Sequence, residues 1–212
     1  KEISRTKNRI KSLLYFSGIT IPVALDSASK HWSGRFTQWL KSVEMATSYG
    51  NLVLAGTLDT SEYLRKQLLL INKELRKISC DSQYAPKLKL LQSIPGIALI
   101  TSITLLSEME DIMRFKNLDQ LCSFVGLVPT TKSSGEKEKT GKITPRSNLL
   151  LRSSIIESAW IASSKDPSLA YSFNQLCKRM QPHDAIIRIA KKLLNRIRYV
   201  IKNETEYVHS VL

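Results

Sequence analysis

The chain has 212 residues, with 32 lysines and arginines against 18 aspartates and glutamates, a formal charge of +14, and 42% hydrophobic residues. That balance excludes a disordered chain, which buries too little apolar surface, and favours a polyanionic partner over an acidic small molecule. Ribosomal and membrane-surface proteins share such basicity, so the partner has to be read from motifs.

The most apolar stretch, residues 94–106, is broken by Pro95, Gly96 and several Ser and Thr residues. It falls far short of the roughly 20 residues that span a bilayer, so neither a membrane helix nor a secretory leader is expected. Cys80, Cys122 and Cys177 are far apart with no C-x-x-C pair and read as reduced core cysteines. The chain opens at Lys1 without a Met, which suggests a piece of something longer.

Residues 1–15 interleave Ile3, Ile10, Leu13 and Leu14 with Arg5, Lys7, Arg9 and Lys11, the pattern of a basic amphipathic helix that Gly18 stops. Residues 19–56 read as an irregular connector holding one short helix around Trp32, Phe36, Trp39 and Leu40. Asp59, three residues before Glu62, predicts a helix start of the capping-box kind. Leu64, Leu68, Ile71, Leu75 and Ile78 then form an a/d seam of about two heptads. The seam pairs with the first helix or with a second copy of the chain, and a homo-oligomer through this coiled coil is expected.

A second, fully helical region is expected from Ala85-Pro86, so that residues 1–84 form the basic helix, connector and coiled coil, and residues 85–212 a compact helical domain. Short helices flank Ile94-Pro95-Gly96-Ile97, a further one ends at Gly126, and three more follow a polar run at 130–147, two of them opened by Pro167 and Pro182. No stretch alternates convincingly enough to be a strand. The fold class read from the sequence is all-α.

Residues 91–101 are similar to a helix-hairpin-helix element, whose Gly-containing turn at Pro95 and Gly96 aims backbone N–H groups at a phosphate. A plain buried helical hairpin is the alternative, because a second glycine is replaced by Ala98. The loop 129–145 places Ser133, Ser134 and Gly135 among Lys132, Lys137, Lys139, Lys142 and Arg146. A seryl hydroxyl needs nearby cations or a base to act as a nucleophile, and the following glycine lets a phosphodiester approach. Any exposed loop has a similar composition.

The last helix sets Arg188, Lys191, Lys192, Arg196, Arg198 and Lys202 against an apolar face, which suits a nucleic-acid backbone or plain solvation. His31, His183 and His209 lack companions at metal spacing, so no metal site is expected in this chain. Glu108, Glu110 and Asp111 read as a solvated surface paired with Arg114, and Trp32, Trp39 and Trp160 as core. Tyr171, Tyr199 and Tyr207 lack the basic constellation of a tyrosine recombinase.

Taken in order, Ile94-Pro-Gly-Ile, Arg114-Phe115, Gly126-Leu-Val-Pro129, Ser134-Gly135, Gly141-Lys-Ile143, Asn148 and Leu151-Arg152 resemble the C-terminal domain of insertion-sequence one-ten family transposases, relatives of the Piv DNA invertase. Residues 5–18 look like the helix that leads from that family's N-terminal RuvC-like domain into its coiled coil. The resemblance implies a recombinase whose serine nucleophile falls on Ser134, supported by Ser133, Gly135, Asn148 and Arg152, with Arg152 contacting the same phosphate. It also implies DNA as substrate, a structured guide RNA as partner, a bacterial nucleoid-associated location in the cytoplasm, and Mg²⁺ held by four acidic residues of a domain this chain lacks. Ser147, where the family usually has Gly, and Ser133 compete with Ser134 for the nucleophile's role. A non-catalytic nucleic-acid-binding and dimerisation module, or a remnant transposase, is the alternative.

Overall fold

Helix α1 (Glu2–Phe16) ends as its glycine signal requires, with Gly18 at φ +69°. α2 (Gly34–Ser42) starts where the Ser33 hydroxyl accepts the Phe36 N–H at 3.3 Å, and α3 (Ser48–Ile78) runs for 31 residues. These assignments come from a computed structural model, which describes residues 1–27, 30–134 and 137–209, without the side chains of residues 131–140 and 142. The chain divides into two compact units, Lys1–Glu74 and Leu75–Leu212, and the division falls inside α3.

In the first unit Ile10 and Leu14 of α1, Phe36 and Leu40 of α2, and Leu54 and Leu58 of α3 form one buried cluster. Trp32 and Trp39 pack partly buried against it. The expected start of α3 at Asp59 is corrected by eleven residues to Ser48, since the helix continues through Gly50 and Gly56. Gly50 serves packing, because a Cβ there would lie 2.9 Å from the Met45 Cβ. Beyond Leu58 the cover within this unit thins out: Leu64 is half-buried, and Leu68 is 47% and Ile71 55% exposed.

The second unit is built around its last helix. α4 (Ala85–Gln92) and α5 (Leu99–Met109) are followed by a 3₁₀ turn (Ile112–Arg114) and α6 (Leu118–Val125). Then come β1 (Pro129–Ser134), β2 (Lys137–Ile143), α7 (Leu149–Lys165), α8 (Pro167–Cys177) and α9 (Pro182–Asn203). α4, α6, α7 and α8 all pack on α9, whose Ile186, Ile189, Leu193, Leu194 and Ile197 are buried. Each such aliphatic side chain contributes about 2 kcal/mol relative to exposure, which makes this stripe the unit's main adhesive. The helix ends follow local chemistry. Asn117, Asn148 and Asp166 accept from N–H groups three residues on, Pro167 and Pro182 occupy first turns, and Gly126 closes α6 at φ +82°.

The architecture is all-α with one correction: residues 129–143, read as a loop, contain an antiparallel hairpin. Its strands, PTTKSS and KEKTGKI, are polar on both faces and so lack the period-2 signal by which a half-buried strand is recognised. Two further expectations are corrected. Cys80 is exposed rather than core, while Cys122 is buried and Cys177 half-buried; Trp160 retains 39% exposure. Among the described residues no helix is long and apolar enough to cross a membrane.

Candidate functional site

Ser134 is the last residue of β1 and pairs with Lys137, the first of β2; Ser133 pairs with Glu138 and Lys132 with Lys139. Gly135 lies outside the described residues, as do the side chains of Lys132, Ser133, Ser134, Lys137, Lys139 and Lys142. The strand irregularity between Pro129 and Thr131 lies toward the opposite end of the hairpin, at its root.

The root is closely tied. The Thr144 N–H donates to the Val128 carbonyl at 2.9 Å, and the Asn148 N–H to the Phe124 carbonyl at 3.3 Å. Arg152 donates from Nη1 to the Gly126 carbonyl at 3.4 Å and to the Thr144 carbonyl at 2.6 Å. Asn148 caps α7 by accepting the Leu151 N–H at 3.1 Å, while its Nδ2 donates to Glu108 Oε2 at 2.5 Å. Glu108 thus departs from the expected pairing with Arg114, whose guanidinium instead stacks 4.8 Å from the Phe115 and Phe124 rings. Ser147 packs where a Gly126 side chain would be, and its Oγ is buried with no hydrogen-bond partner among the described residues. Arg146 is exposed beside the root.

The turn between α4 and α5 carries Pro95 and Gly96, the latter at φ +86°. A Cβ on Gly96 would sit 2.3 Å from the Ser158 carbonyl oxygen, so this glycine lets the turn pack on α7. α5 begins after Ala98 with no side-chain cap, which leaves first-turn N–H groups for another acceptor. A cavity of about 390 Å³ opens here, lined by residues 92–98 together with Ile161, Lys165 and His209.

The basic stripe of α9 is partly committed to the fold. Arg188 is exposed and Lys191 half-exposed, but Lys192 donates to the Ser172 hydroxyl at 2.8 Å and Arg198 to the Lys116 carbonyl at 3.2 Å. Arg196 turns inward: its Nη1 lies 2.9 Å from Asp166 Oδ2, and it also donates to Ser168 and to the Tyr207 hydroxyl. Its expected place on an open nucleic-acid face is therefore corrected, because α8 presents Ser168 and the buried Asp166 to that side of α9. Tyr207 in turn donates to Asp166, and its backbone N–H donates to Ser93 Oγ at 2.8 Å, so the segment after α9 is fastened across the unit. Burial pushes the Asp166 carboxyl upward. Hydrogen bonds from Tyr207, the Leu169 N–H and Arg196, with the Arg196 charge, outweigh it and hold the pKa at about 2.

Burial pushes the Cys122 thiol up, so it remains an unreactive thiol. Among the described residues no group of three or more His, Cys, Asp or Glu side chains could hold a metal ion. The sequence marked Ser134, Asn148 and Arg152, and the fold brings Asn148 and Arg152 to the hairpin's root. It gave no sign of Glu108, Asp166 or Tyr207 as partners, since their contacts span 40 or 41 residues.

Comparison with known sequences finds similarity over this same segment. Residues 88–173, from α4 into α8, match the family described as "Transposase IS116/IS110/IS902 family". The transposase for insertion sequence element IS1111A of Coxiella burnetii is 41% identical over 69 residues, covering 32% of this chain and 19% of that protein. The IS110 insertion element's uncharacterized 43.6 kDa protein of Streptomyces coelicolor is 28% identical over 159 residues, covering 72% of this chain and 39% of that protein. The chain therefore spans well under half the length of these relatives. Residues 88–173, which contain the hairpin and its root, are thus similar to the IS116/IS110/IS902 family of transposases.

Proposed function

We propose that this chain is the C-terminal, serine-bearing part of an RNA-guided DNA recombinase. Ser134 Oγ attacks a DNA phosphodiester. The new serine O–P bond replaces the P–O bond that breaks, the serine proton passes to a base, and the departing DNA oxygen leaves as a hydroxyl. The phosphoserine link conserves bond energy for rejoining, so no nucleotide triphosphate is needed. The observation that carries this reading is the position of Ser134 at the tip end of a hairpin inside the transposase-like segment.

Around it, Lys132, Lys137, Lys139, Lys142 and Arg146 supply cations for the phosphate backbone, with the Pro95-Gly96 turn and Arg188 and Lys191 as further contacts. The exposed seam of α3 pairs two copies of the chain. Sequence choice comes from a structured guide RNA, and the protein reads backbone and shape. Mg²⁺ would be held by an acidic domain outside these residues, and the chemistry assigned to this chain does not run through it.

The test supplies the intact parent protein with Mg²⁺, flanking-region RNA and cognate DNA, then looks for DNA attached to serine by denaturing gel and peptide mass. The expected result is an adduct on Ser134 that disappears in Ser134→Ala while DNA binding survives. Binding with no adduct on any serine would overturn the catalytic reading in favour of a nucleic-acid-binding and dimerisation module.

A further inference from the structure

We propose that Glu108, Asn148 and Arg152 are positioning residues that fix the angle at which the serine hairpin leaves the helical unit; the catalytic purpose of that angle rests on the reading of Ser134 above. One arginine nitrogen spans the two chain segments that enter and leave the hairpin, through the Gly126 and Thr144 carbonyls at 3.4 and 2.6 Å. A charged donor shared by two neutral carbonyls is stronger than an ordinary amide bond, and here it couples the strands at their base rather than along their length.

Arg152 itself stands on the first turn of α7, whose start is set by the Asn148 cap. The cap's orientation is in turn set from α5, because Asn148 can satisfy Leu151 and Glu108 together in only one amide orientation. Gly126 completes the arrangement. At φ +82° it turns the chain from α6 toward β1, and a Cβ there would fall 2.0 Å from the Ser147 Cβ, so the entering and leaving segments touch with no slack. The relay runs from α5 through the start of α7 to both sides of the root.

A purely stabilising role predicts a lower melting temperature and an unchanged hairpin direction. A positioning role predicts a changed direction well below melting. The test uses the whole chain without nucleic acid, with Cys80→Ser and Cys177→Ser, and spin labels on cysteines introduced at Glu138 of β2 and Glu157 of α7. Electron–electron resonance reads the distance distribution between them. The parent should give a single narrow distribution. Arg152→Met and Glu108→Leu should shift and broaden it, Arg152→Lys should restore it in part by reaching one carbonyl, and Glu108→Gln, which keeps an acceptor for Asn148, should stay close to the parent.

If one variant fails to fold, the other is read alone. Unchanged distributions in folded Arg152→Met or Glu108→Leu would overturn the proposal, as would broadening equal in Glu108→Gln and Glu108→Leu. Shifted distributions without any serine adduct on the parent protein would sustain the positioning role and overturn only the Ser134 reading.

Discussion

Replacing Asp166 by Asn tests the buried network that fastens α8, α9 and the segment carrying Tyr207. Asparagine retains the α8 cap, since its Oδ1 can still accept the Leu169 N–H held at 2.9 Å. What disappears is the negative charge 2.9 Å from Arg196 Nη1, leaving a guanidinium whose side chain is only 21% exposed. Stranding a buried charge costs about 3–5 kcal/mol, and the partial exposure of Arg196 argues for the lower end, about 3 kcal/mol. The pH dependence has a definite sign. The folded carboxyl, at about 2, lies below the unfolded value near ~3.9, so its contribution is fully present above pH ~4 and is lost as pH falls toward ~2. By linkage that contribution is about 2–3 kcal/mol. Urea unfolding of the parent and Asp166→Asn between neutral and strongly acidic pH reads both quantities, with equal slopes required for the comparison. A gap between the two proteins that stays constant over that whole range would refute the assignment, as would a neutral-pH difference within about 0.5 kcal/mol.

Gly126→Ala should destabilise the chain by about 3 kcal/mol, from a left-handed φ and overlap with Ser147. Adding Ser147→Gly should recover the overlap but not the backbone strain, which thermal melts of the two variants will separate. Leu68→Glu with Ile71→Glu should convert a dimer to a monomer in sedimentation while the helical circular dichroism signal persists; a monomeric parent at its highest soluble concentration would exclude pairing through the seam. Binding to duplex DNA should weaken steeply with salt, with a log–log slope near −5 if about six phosphates are neutralised, and a flat response would exclude backbone contact.

The parts of this fold that the sequence made legible are those decided locally. Gly18 and Gly126 end helices because a positive φ is easiest without a Cβ, and Pro167 and Pro182 open helices because a first turn needs no N–H from them. α9 was readable because one element carries both of its faces. The hairpin was not, because strand pairing is nonlocal and its polar residues offer no buried face to set a period. α3 hid its start behind Gly50, a glycine that breaks helices in general but here admits Met45.

The candidate site divides in the same way, and the arginines show why. Arg188, Lys192 and Arg196 recur every four residues and so form one stripe by sequence. In the fold, Ser172 and Ser168 of α8 meet Lys192 and Arg196 in turn; Arg188 and Lys192 stay exposed, while Arg196 is drawn inward. Arg152, marked by the family motif as a phosphate ligand, spends Nη1 on two carbonyls of its own chain. A cation's spacing along a helix fixes which way it points. Whether it meets a phosphate or a carboxylate depends on what the neighbouring helix brings to the same place, and for Arg196 that is Asp166, thirty residues earlier in the chain.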